Sequence, residues 1–195
     1  MTTLSPARRS LSAIRIGALA FGLWWLLLLG PLARHSAAQS SSPRFERTTC
    51  WVDGDWARDV RRECGWLIVP ESRDRAGTNT VRLAVEIFRA AAPTEPPRVF
   101  LHGGPGGPGG IRMYSEGIAR SGSALHRDVV IYDQRGAGLS EPTLCAAYDT
   151  AAPSPETRRA CIAELEAQGI DRRAYNTAAS VADLIDLRRT LGYAS

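Results

Sequence analysis

The string His102-Gly103-Gly104-Pro105-Gly106-Gly107-Pro108-Gly109-Gly110 carries the densest chemical signal in the chain. Glycine lets a backbone turn abruptly and brings N–H groups close to a ligand with no Cβ in the way. Donors held in this manner can stabilise a carbonyl oxygen that becomes negative during acyl transfer, and losing one such donor costs about 10²–10³ in rate. The same string contains Gly104-x-Gly106-x-x-Gly109, the spacing of the dinucleotide fingerprint. Against that use, Pro105 and Pro108 remove N–H groups that a pyrophosphate cradle needs. No clean second strand ending in Asp or Glu follows at the expected distance either. A P-loop is excluded, because the chain has no lysine at all. The plain alternative is a structural turn that holds no ligand.

A second glycine-bearing motif is Asp133-Gln134-Arg135-Gly136-Ala137-Gly138-Leu139-Ser140. Asp133 and Arg135 could pair with each other or cap neighbouring loop backbone, and so hold the first loop in shape; a solvated pair would contribute little. Ser140 is not a nucleophile candidate. It closes a Gly-x-Gly-x-Ser string, whereas the nucleophile elbow sets serine between glycines in Gly-x-Ser-x-Gly, a string found nowhere in the 195 residues. Of the histidines, His102 belongs to the first loop, His126 reads as a surface residue, and His35 lies in the N-terminal segment.

Both motifs follow short apolar runs. Val99-Phe100-Leu101 leads into the first and Val129-Val130-Ile131-Tyr132 into the second. Short apolar runs that end in glycine-rich loops predict buried strands of a mostly parallel sheet. Upstream, Trp66-Leu67-Ile68-Val69 is stopped by Pro70, and Val81, Leu83, Val85 and Ile87 alternate with Arg82, Ala84, Glu86 and Phe88 in the period of a strand. Prolines break residues 90–97. Ile111 to Leu125 has helix-compatible spacing despite two glycines, and a short helix is predicted around Thr157 to Gln168. From Thr177, Val181, Leu184, Ile185, Leu187 and Leu191 lie at helical spacing, with Ser180 and Asp183 as a candidate capping box and Gly192 as the stop.

With 44% apolar and 23% charged residues, the composition is that of a globular chain, and its length fits one domain. The formal charge of +4 does not indicate nucleic acid: Arg8, Arg9, Arg15 and Arg34 account for the whole excess, in a segment without acids. In residues 1–38 the arginines precede an apolar run from Ile16 to Leu29, then Pro31 and the small residues Ser36-Ala37-Ala38. That order reads as a secretory signal cleaved after Ala38, with an uncleaved membrane anchor as the alternative. The expected location is therefore the periplasm, cell envelope or medium, with a membrane tether only if the signal stays on. Residues 39–49, polar and serine-rich, read as a flexible leader.

Export makes Cys50, Cys64, Cys145 and Cys161 candidates for disulfides. Four cysteines allow three pairings, and the sequence does not choose among them. Cys50 with Cys64 and Cys145 with Cys161 would each close a short local loop, a link that contributes roughly 3 kcal/mol in the chain-entropy model. Zinc is disfavoured, since no Cys-x-x-Cys pair exists.

Together, His102 to Gly106 and Asp133 to Ser140 resemble the paired signature of the prolyl aminopeptidase family. Cys50, Cys64-Gly65 and Val69-Pro70 are similar to the secreted tripeptidyl aminopeptidases within it. The likeness spans residues 50–195. It implies an α/β fold, the N-terminal half of an α/β-hydrolase with a mostly parallel sheet and flanking helices. It also implies a Ser-His-Asp triad, no metal or organic cofactor, and hydrolysis of peptide N-termini or of small esters and amides. By the same analogy Gly103 and Gly104 border the oxyanion hole. His102, Pro105, Gly106, Asp133, Gln134, Arg135 and Gly136 would support that loop. The expectation is that the chain stops before the nucleophile elbow and is inactive alone, since a triad works as a unit. Such a fragment would be a truncated product or one half of a split hydrolase awaiting a complementing C-terminal half. A non-catalytic binding module and, more remotely, a dinucleotide-binding domain are the competing expectations.

Overall fold

A computed structural model describes residues 42–75, 77–103, 107, 109–145 and 154–194. Among the described residues, five strands form one sheet: β1 (Arg44–Thr48), β2 (Arg62–Pro70), β3 (Thr80–Phe88), β4 (Arg98–Phe100) and β5 (Val129–Tyr132). Three α-helices among the same residues accompany them: α1 (Gly110–Arg120), α2 (Pro155–Ala167) and α3 (Thr177–Thr190). Short 3-10 turns occupy Asp55–Asp59 and Arg172–Ala174.

The sheet order is β1-β2-β3-β5-β4. This corrects the expected α/β-hydrolase half with a mostly parallel sheet. β1–β2, β2–β3 and β3–β5 are antiparallel, and only β4–β5 is parallel. The reason lies in the connections. A parallel pair needs a crossover of a dozen or more residues, usually a helix, and α1 supplies one between β4 and β5. Residues 71–79 between β2 and β3 are too few for that, so the chain turns back on itself.

Two further expectations change. The flexible leader read over 39–49 does not extend across Arg44–Thr48, which pairs with β2 as the edge strand β1. Phe45 lies over Gly65, where a Cβ would run into its ring, so glycine on β2 is what admits the aromatic side chain of β1. The helix read over Ile111 to Leu125 ends at Arg120, and Gly122 at φ +66° turns the chain away. The expected helix near Thr157 is α2, capped by reciprocal bonds between Ser154 and Thr157. The signal read over 1–38 lies outside the described residues, and no helix among the described residues is long and apolar enough to cross a membrane.

β3 is covered on both sides. Leu83, Val85 and Ile87 join Leu67, Val69, Val130, Tyr132 and Leu187 beneath α3. Ala84 and Phe88 join Trp56, Ile111, Val129 and Ile131 beneath α1. Glu86, fully buried on the second face, is neutralised by Arg62 at 2.8 Å and hydrogen-bonded by the Ser115 hydroxyl. The two disulfides are Cys50–Cys64 and Cys145–Cys161, each with Cα atoms 5.1 Å apart. Together they make up one of the three connectivities that four cysteines allow, the one in which both links are local, and they fit an oxidising, extracellular compartment.

At one end of the sheet, Arg89 gathers β2, β3, the start of β5 and the residues after α3. Its guanidinium donates to Glu63 at 2.6 Å, to Asp128 at 2.7 Å and to the Tyr193 hydroxyl at 2.9 Å. Burial raises both carboxyls, but the bonds and charge of Arg89 outweigh it and hold them below the ordinary range. A depressed folded-state pKa gives stability that is fully present above the unfolded value of about 4 and is lost as pH falls through the folded value. The urea midpoint is therefore expected to drop as pH is lowered from about 5. Arg89→Gln is expected to flatten that drop; equal slopes in the two proteins would show that the cluster does not act this way.

Candidate functional site

The two glycine loops emerge from the ends of the parallel pair β4 and β5, so they lie side by side. Asp133, the residue after β5, joins them. Its Oδ1 accepts the N–H of Gly110 at 2.6 Å and of Ile111 at 3.2 Å, the first two residues of α1. Its Oδ2 accepts the N–H of Leu139 at 2.8 Å, in the second loop. One carboxylate, 1% exposed, thus closes the N-terminus of the crossover helix and the turn after β5. The helix end favours such a charge, because its first N–H groups have no intrahelical partner. Burial pushes the Asp133 carboxyl above the ordinary aspartate range, against the pull of the Leu139, Ile111 and Gly110 N–H groups and of nearby His102.

Glycine is required on both sides of this carboxylate. Gly109 at φ +86° and Gly138 at φ +59° approach so closely that a Cβ on either would collide with the Asp133 carboxylate. A Cβ on Gly138 would also lie 2.7 Å from the Gly109 Cα. Gly138→Ala is expected to lose about 2 kcal/mol or more, from left-handed backbone strain and from displacing Asp133. Thermal unfolding measures it, and an unchanged midpoint would contradict the close approach of the loops.

The rest of the second loop is held as firmly. The Ser140 hydroxyl donates to the Asp133 carbonyl at 2.6 Å and accepts the Ala84 N–H at 3.1 Å, leaving the side chain fully buried. Gln134 Nε2 donates to the His102 carbonyl at 3.3 Å, a second strap between the loops. Gly136 at φ +72° makes room for Leu144 and Tyr175. Asp133 and Arg135 do not pair with each other. Arg135 turns the other way and grips Asp183 of α3 through Nε and Nη2, both at 2.7 Å, while Nη1 donates to the carbonyls of Glu71 and Ala174.

A cleft of about 800 Å³ opens beside this framework. His102, Gly103 and Gly109 form one wall, Gln134, Arg135 and Gly136 another, and Asn176, Thr177 and Ser180 at the start of α3 a third. Leu101, Leu144, Val181 and Leu184 make much of the rest apolar. The His102 ring rests 5.5 Å from that of Tyr114 on α1. Among the residues expected to matter, His102, Gly103, Asp133, Gln134, Arg135 and Gly136 are thus brought together; Gly104, Pro105 and Gly106 lie outside the described residues.

Asp183 has a larger part here than its sequence position suggested. The expected capping box with Ser180 does not form, because the N-cap of α3 is Asn176, whose side chain accepts the Ala179 N–H. Asp183 instead lies buried against Arg135 and Arg73, each 2.7 Å away. An acid amid the apolar positions of an amphipathic helix was the signal that could have marked it as a buried ion partner. No protein-family model matches the chain, and no curated protein matches it.

Proposed function

We propose that this chain supplies the oxyanion-loop part of an exported serine hydrolase of aminopeptidase type, cleaving peptide, amide or ester bonds. In this reading residues 1–38 direct export, and the two disulfides fit that destination. Gly103 offers its backbone N–H to the acyl oxygen, and Asp133 with Gln134 keeps that loop in register with the turn after β5. The nucleophile and its histidine come from outside the 195 residues.

One observation carries the reading: the Asp133 carboxylate occupies the first N–H groups of α1. A dinucleotide would need those donors for its pyrophosphate. With the helix end already satisfied from within, the Gly103 backbone, which has no hydrogen-bond partner among the described residues, lines a largely apolar cleft, a setting suited to an acyl group and its developing charge. No metal or organic cofactor is invoked.

The test is to express the chain with and without the product of its downstream coding sequence and to assay prolyl and alanyl arylamides. The expected result is no turnover from the chain alone, and turnover with both parts that a serine-directed phosphonate abolishes. Phosphonate-sensitive turnover by the chain alone overturns the proposal. So does a downstream sequence with no Gly-x-Ser-x-Gly in any frame.

A further inference from the structure

The His102 carbonyl and the Gly103 N–H belong to one peptide group. A trans peptide is planar, so the two point to opposite sides of the chain, and fixing one fixes the other. Gly103 is exposed, and glycine takes up backbone conformations on both sides of φ zero with similar ease. The His102–Gly103 peptide is therefore free to turn over, which exchanges its carbonyl for its N–H on the side where a ligand would lie. Gln134 opposes that rotation, because its Nε2 donates to the His102 carbonyl at 3.3 Å. The donor stands on a rigid base. The Gln134 carbonyl accepts the Ala137 N–H at 3.0 Å, and the N–H of Asp133 before it donates to the Ala84 carbonyl of β3 at 3.0 Å. The side chains on either side are both buried: Asp133 is held by Gly110, Ile111 and Leu139, and Arg135 by Asp183. Gln134 itself is half-buried and lines the same cleft as His102 and Gly103.

We infer that Gln134 is a positioning residue for the first glycine loop: by gripping the His102 carbonyl it keeps that oxygen turned from the acyl oxygen and leaves the Gly103 N–H to face it. The inference rests on the reading of Gly103 as a donor to the acyl oxygen, and it adds what sets the direction of that donor. With the peptide turned over, the acyl oxygen would meet another oxygen, whose partial charge has the sign of the charge that develops in the transition state. In this role Gln134 acts through one backbone group and not on the substrate. Its loss therefore weakens the hold on the transition state and leaves binding of the substrate in the cleft little changed.

The experiment compares the full chain with Gln134→Leu, which keeps the bulk of the side chain and removes the donor. Both are labelled with ¹⁵N and weakly aligned, and the residual dipolar coupling of the Gly103 N–H is read by NMR. In the wild type that coupling is expected to fit the single orientation shared by the β5 amides, and in the variant to collapse toward zero. Each chain is then assembled with the product of the downstream coding sequence and assayed on an alanyl arylamide. Gln134→Leu is expected to lower kcat about 10- to 100-fold and to leave KM within about twofold. Should Gln134→Leu not fold, Gln134→Glu, of the same shape and ionised at neutral pH, carries both measurements. A Gly103 coupling that the variant leaves unchanged, or that is already averaged in the wild type, overturns this inference and leaves the acyl-site reading standing. A collapsed coupling with unchanged kcat overturns it together with the donor role of Gly103. No turnover by the assembled wild type overturns the acyl-site reading, and the inference falls with it.

Discussion

Asp133→Ala is expected to destabilise the chain by about 3–6 kcal/mol, read as a lower urea midpoint at unchanged slope. Three backbone donors, on Gly110, Ile111 and Leu139, lose the carboxylate that they share in a dry setting. Each buried donor left unanswered costs about 1–3 kcal/mol. Asp133→Asn separates charge from shape: its amide keeps one oxygen but turns an NH₂ toward the remaining donors. It is expected to recover less than half of the loss. A change below about 1 kcal/mol for Asp133→Ala would mean that the two loops are joined by something else. In an assembled hydrolase the same substitution is expected to lower kcat more than it raises KM, since the loop would act on the transition state.

Asp183→Ala is expected to be nearly as damaging, at about 3–5 kcal/mol, the usual range when one member of a buried ion pair is removed. Arg135 and Asp183 are each 1% exposed at the side chain, so the guanidinium left behind cannot reach water. Arg73 loses a partner as well, though Asp186 still holds it at 2.6 Å. Replacing both charges, as Arg135→Met with Asp183→Leu, is expected to return most of the loss, because apolar pairs of similar volume often match a buried ion pair. A double-mutant cycle by urea unfolding measures the coupling. A coupling near zero would show that the pair does not bridge the second loop to α3. Against a total stability of about 5–15 kcal/mol, either single loss is large.

How far such features could be read in advance depended on whether the signal was local. β3 and α3 announce themselves because their apolar residues repeat at the period of the element that they form, and β2 and β5 because their apolar residues run without a break. β1 does not. Arg44-Phe45-Glu46-Arg47-Thr48 is an edge strand, mostly exposed, and it becomes a strand through its ladder to β2 and the seat of Phe45 on Gly65. Strand direction was misjudged for a related reason: an apolar run reports burial on two faces and says nothing of which neighbour lies alongside. Both glycine motifs were visible, and Asp133 was legible as a residue that could cap loop backbone. The grip of Arg135 on Asp183 was not, because it forms only after α3 packs on the sheet.

The strand order also has a kinetic side. β4 has ladder bonds to β5 alone, while β5 is held on its other side by β3. Any fluctuation that detaches β5 from β3 therefore releases β4 with it, whereas β4 can peel away and leave the remaining strands intact. Amide protons of Arg98–Phe100 that bond to β5 should exchange with deuterium at least as fast as those joining β5 to β3. The wall from which the His102 loop departs would thus open no later than β5 parts from β3.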